Sequence, residues 1–144
     1  MKPTPEQVLN QSFVKLAMEL GPALPPSYEQ GSLTLIGLLL LMTAQEFNRA
    51  ADVRVKENRA MRSIFVEAGR RANKEFADRL AAAAKGGDDD LTIAALDQRN
   101  ADLKRLLIEL HVDAEHAGDK SLELKILRFL QEAAAARQIQ LPAM

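Results

Sequence analysis

Between Ser27 and Leu141 the chain contains no proline. Proline removes a backbone donor and clashes with the preceding helical turn, so a stretch this long without it can be helix throughout. The six prolines stand at the two ends, at Pro3, Pro5, Pro22, Pro25, Pro26 and Pro142. Glycine supplies the punctuation in between, at Gly86-Gly87 and Gly118, while Gly37 and Gly69 sit within otherwise helical text. Apolar residues recur at three- and four-residue intervals, as in Met61, Phe65, Ala68, Ala72, Phe76, Leu80 and Ala83, and no stretch alternates as a strand would. The pattern predicts an all-α bundle of four to six helices, without a sheet, in which the whole chain forms one helical domain.

Local signals place the helices. Thr4, Pro5 and Gln7 read as a capping box with proline at the first helical position, opening a helix that Gly21-Pro22 should stop. Pro22–Gly31 reads as an extended connector, with Ser32 as the next cap. From Leu33 to Lys85 no strong breaker occurs. One helix over that span would be roughly 80 Å long at about 1.5 Å per residue. A compact chain of this length is only about 40 Å across. A break is therefore expected in the polar stretch Asn48–Asn58, or else an elongated, oligomeric molecule. Asp88-Asp89-Asp90 suits the positive end of the following helix. Gly118 and Asp119 then divide two helices into a C-terminal αα-hairpin, the second lined by Leu122, Ile126, Phe129, Leu130, Ala133 and Ile139.

Composition narrows the chemistry. Aromatic residues make up 4% of the chain, with no Trp and one Tyr, so stacking platforms for bases or sugars are scarce. Cysteine is absent, which removes disulfides, thiolate metal sites and cysteine nucleophiles together and suits a reducing compartment. The N-terminus has no apolar segment behind Lys2, so a cytoplasmic location is expected. The formal net charge is −1, which favours neither nucleic acid nor an anionic membrane.

Few residues carry recognisable chemistry. On the helix Leu91–Ala117, Glu109, Asp113 and His116 fall on one flank of the apolar seam, and His111 and Glu115 on the other. Carboxylates and histidine in such a stripe are the raw material of a helical-bundle metal site. Dinuclear bundles, however, use a Glu-x-x-His on each of two helices, and here only Asp113-x-x-His116 approaches it. The plain reading is a polar helix edge. No Gly-x-Ser-x-Gly elbow is present, and Gly86-Gly87 is followed by three acids rather than the Lys-Ser/Thr of a phosphate loop. No cofactor and no catalysis are expected.

Two further features bear on partners. Basic residues dominate positions 49–74, from Arg49 through Arg54, Arg59, Arg62 and Arg71 to Lys74, whereas acids dominate Asp88–Glu123. The first segment is a candidate nucleic-acid surface, though its charges also suit pairing with the acidic segment. The run Leu33–Ala44 is apolar on nearly every face, more than a helix with one buried side requires. It ends at Gln45-Glu46, too short to span a membrane. Either α-helical neighbours in the same chain cover it, or a second copy does. The expected function is a non-catalytic protein acting through protein–protein contacts, a homodimer with Leu35, Leu39, Leu40, Met42 and Phe47 at the interface. The alternatives are a metal-binding bundle around Glu109, Asp113 and His116 and a nucleic-acid accessory protein using the basic 49–74 segment.

Overall fold

The computed structural model describes residues 2–141, and every regular element among them is a helix. The first, α1 (Pro5–Phe13), begins with the capping box: Thr4 Oγ1 accepts from the Gln7 amide and Gln7 Oε1 accepts from the Thr4 amide. It widens into a π-helical stretch, Val14–Leu20, and ends with a turn at Gly21–Ala23. Gly21-Pro22 thus stops the helix a turn later than expected. Pro22 stands in the first turn of that last segment, where its missing N–H costs nothing, and the backbone becomes extended only at Leu24.

The second helix, α2 (Tyr28–Ala68), corrects two expectations. Its first turn is capped by Ser27, whose Oγ accepts from the Gln30 amide at 3.3 Å, so the cap is not Ser32 and the connector is only a few residues long. The helix also passes through Asn48–Asn58 without a break. The asparagines there do not compete for their own backbone, because Asn48 donates to Glu6 and Asn58 to Asp88. The break falls at Gly69–Asn73 instead. Asn73 Oδ1 accepts from the Phe76 amide and opens α3 (Lys74–Ala84).

Asp88-Asp89-Asp90 does not open the next helix. Asp90 accepts from the Thr92 amide, and Thr92 caps α4 (Ile93–Ala117). Gly118 adopts the left-handed conformation, with φ of 68°, that lets the chain reverse, and Asp119 caps α5 (Lys120–Ala136) as expected. Helices α4 and α5 form the C-terminal hairpin.

The described residues divide into two compact units, one comprising residues 2–50 and 139–141, the other Ala51–Gln138. In the first, α1 and its π-helical extension pack on the N-terminal half of α2 through Phe13, Ala17 and Leu41, flanked by Leu38 and Leu40. Contact is closest at Gly37, where a β-carbon would lie 2.7 Å from Ala17 Cβ. In the second unit, Met61, Phe65, Leu80, Leu103, Leu107, Leu110, Ile126 and Phe129 make up most of a continuous core. Leu130, expected on the buried side of α5, is exposed, and Ile139 lies beyond the end of that helix.

Candidate interaction surface

A helix of 41 residues repeats its faces every seven positions. On α2 one such face carries Ile36, Leu40, Thr43, Phe47, Ala50, Arg54, Glu57, Met61, Ile64 and Ala68, spaced alternately by four and three as in a helix-pairing seam. From Ala50 onward every member is buried. Ahead of Ala50 the seam is exposed at Ile36, Thr43 and Phe47 and half-buried at Leu40, and Leu35, Leu39 and Met42 beside it are exposed as well. Leu35 is 59% exposed, Ile36 47%, Leu39 53%, Met42 43% and Phe47 56%. Leu40 differs from the other expected interface residues, since it is half-buried against the Phe13–Ala17–Leu41 cluster. Within the chain, α1 covers one face of the Leu33–Ala44 run and leaves the opposite one exposed.

The open face has few polar demands. No ionisable residue occurs between Glu29 and Glu46. The hydroxyls of Thr34 and Thr43 donate to the carbonyls of Gln30 and Leu39 one turn back. Covering this face strands no charge and orphans neither hydroxyl. Five large side chains left about half exposed amount to on the order of 500 Å2 of apolar surface, the upper part of the range for the largest patch on a monomer.

The other candidate residues lie in the second unit. Glu109, Asp113 and His116 do line one shallow groove, with Asn73, Glu75, Phe76, Arg79 and Val112. Within it Arg79 pairs with Glu109 at 2.7 Å and lies over the Phe76 ring, 5.4 Å from its centroid. Among the described residues no three acidic or histidine side chains are grouped so as to hold a metal ion. His111 stands 3.8 Å from Glu115 on the other edge of α4. The basic segment is largely engaged inside the chain: Arg54 pairs with Asp97, Arg62 with Asp88 and Arg71 with Asp119, each acid coming from the acidic stretch.

A buried polar network escaped the sequence reading. Asn100 Nδ2 donates to Glu57 Oε2 at 2.9 Å and to Asn58 Oδ1 at 3.0 Å. Asn58 Nδ2 donates to Asp88 Oδ1, and Arg62 grips both oxygens of the same carboxylate. Glu57 is held by two nitrogens of Arg137, with Lys104 at 3.4 Å. Burial pushes the Glu57 carboxyl up, but the Arg137 and Asn100 hydrogen bonds and the charges of Lys104 and Arg137 outweigh it and hold it below the usual range. Asp88 is lowered chiefly by the Arg62 hydrogen bonds, against the opposing effect of burial, with further help from Asn58 and Arg99. The signal was present in the sequence: Asn100 occupies a seam position in the series Leu96, Asn100, Leu103, Leu107, Leu110, Ala114, where a polar residue fixes register at a cost in stability. The network joins α2 to α4, to the loop before α4 and to Arg137 after α5 through directional bonds.

Among the described residues no helix is long and apolar enough to cross a membrane. Comparison with protein-family models, with curated proteins and with solved structures finds no match to the chain.

Proposed function

We propose that this chain is a non-catalytic helical protein that works through protein–protein contact and associates with itself as a homodimer. The observation that carries the reading is the open face of α2, where Leu35, Ile36, Leu39, Met42 and Phe47 are exposed on a stretch without ionisable residues between Glu29 and Glu46. An isologous interface brings each residue toward equivalents of its own neighbours, so charges of one sign clustered on it would repel. A face free of ionisable groups is one that tolerates its own copy. Doubled across a two-fold axis, its area approaches the lower end of what a standard interface buries, about 1,200 Å2 in total. The first unit has a small core of its own, and a second copy would add to it. The lack of cysteine supports a cytoplasmic setting.

The test is light scattering coupled to size exclusion. The intact chain is expected to elute with the mass of a dimer, and Leu39→Lys with the mass of a monomer and an unchanged helical spectrum. A monomeric mass that persists at high micromolar concentration rejects the proposal.

A further inference from the structure

Beside the glycine pair that follows α3 the second unit carries a cavity of about 390 Å3, and we propose that it binds a free α-amino acid with an aliphatic side chain. The volume lies at the small end of the range for ligand sites. Arg62, Arg99 and Asp89 bring charge to its wall, while Ala82, Ala83 and Leu103 are apolar. Most of the charge nearby is spent within the chain: Asp88 takes Arg62 at 2.6 Å, and Asp102 is held by Arg105 at 2.6 Å and by Gln98. Two groups are not spent. Arg99 donates Nη1 to the Gly87 carbonyl and stands 4.0 Å from Asp88, while its Nε and Nη2 have no hydrogen-bond partner among the described residues. The Asp89 carboxylate accepts no hydrogen bond and pairs with no base among the described residues. These opposite charges share one cavity without pairing with each other. A ligand that brings a carboxylate to Arg99 and an ammonium to Asp89 satisfies both, whereas a lone anion or a lone cation satisfies one. The free Nε and Nη2 of Arg99 form the fork that holds a carboxylate by two bonds.

The glycines keep this space clear. Among the described residues Gly118 alone has a positive φ, so the backbone at Gly86 and Gly87 does not call for glycine. A β-carbon on Gly86 would stand 3.7 Å from Arg62 Nε, and one on Gly87 would stand 3.5 Å from both oxygens of Asp89. Arg62 Nε is itself a buried donor without a partner among the described residues, a feature that folded proteins seldom leave without a cause.

The test is an NMR titration of the full chain that follows the amides of Gly86, Gly87 and Asp89. The probes are L-alanine, L-leucine, N-acetyl-L-leucine, which keeps only the carboxylate charge, and L-leucinamide, which keeps only the ammonium charge. L-leucine is expected to shift these amides saturably, and each singly charged analogue to bind at least about tenfold more weakly, the loss that one charge-assisted hydrogen bond represents. Asp89→Asn breaks no bond within the described chain, so the fold is expected to be kept. This variant should bind L-leucine about tenfold more weakly and N-acetyl-L-leucine as before. An analogue that binds as well as L-leucine overturns the inference, because the site then reads one charge only. Unchanged L-leucine binding by Asp89→Asn overturns it too, as does the absence of a saturable shift with both amino acids. All the residues named belong to the Ala51–Gln138 unit, so these outcomes are separate from that of the self-association test on α2.

Discussion

Asn58, fully buried in the C-terminal half of α2, donates its side-chain amide to Asp88 in the loop ahead of α4 across 2.9 Å. Its carbonyl oxygen accepts from Asn100, so both ends of the amide are used. Asn58→Ala takes the acceptor from one donor hydrogen of Asn100, removes one of the two bonds to Asp88 Oδ1, which keeps that from Arg62, and leaves a small void. A loss of about 2 kcal/mol or more is expected, read as a lower denaturant midpoint with an unchanged slope. Asn48→Ala, at an exposed position on the same helix, should change the midpoint little.

The carboxylates of this network contribute to the fall of stability in acid. Glu57 and Asp88 both titrate below their ordinary values in the folded chain. As pH falls the unfolded chain therefore takes up protons before the folded one does, and stability decreases. The contribution is fully present above the unfolded values near pH 4 and is lost as pH drops through the lowered folded ones. Asp88→Asn should lower the melting temperature at pH 7 and flatten its dependence on pH between about 5 and 3, since that step no longer involves Asp88. An equally steep profile in the variant would show that Arg62 and Asn58 do not favour the ionised form.

Gly37 is required for the approach of α1. A β-carbon there would come within 2.7 Å of Ala17 Cβ, so Gly37→Leu has no room for its side chain without displacing α1. Hydrogen exchange should reveal it: amides of Pro5–Leu20 lose protection while those of Ile93–Ala117 keep theirs, because the two stretches belong to different compact units.

On α4, Leu110 is 1% exposed, whereas His116 is exposed and His111 lies at the rim. Leu110→Asp buries an unpaired carboxylate in the main core and should cost several kcal/mol. His111→Ala and His116→Ala should each stay within about 0.5 kcal/mol. Thermal unfolding of the three variants side by side checks this. A His116 variant as damaging as Leu110→Asp would point to a role for the groove at Glu109 and Asp113 that its surface position does not suggest.

Local chemistry was readable from the residues themselves. The capping box at Thr4 and Gln7, the cap at Asp119, the left-handed turn at Gly118 and the apolar stripes of α3, α4 and α5 depend on contacts a few residues apart, which the order of the chain specifies directly. The all-helical class follows from those contacts and from the missing prolines. Where α2 ends did not follow from them. Asn48 and Asn58 look like caps until Glu6 and Asp88, far away in the chain, take up their amides, and Ser27 displaces Ser32 because the helix starts earlier. The apolar run at Leu33–Ala44 was plain in the sequence, but which of its faces meets α1 and which stays open rests on Gly37 fitting against Ala17. The buried network is the same case: Asn100 breaks a leucine seam visibly, yet its partners Glu57 and Asn58 lie more than forty positions back. A buried polar side chain is stable only with a partner, and which partner reaches it depends on how the helices pack, not on how they are spaced along the chain.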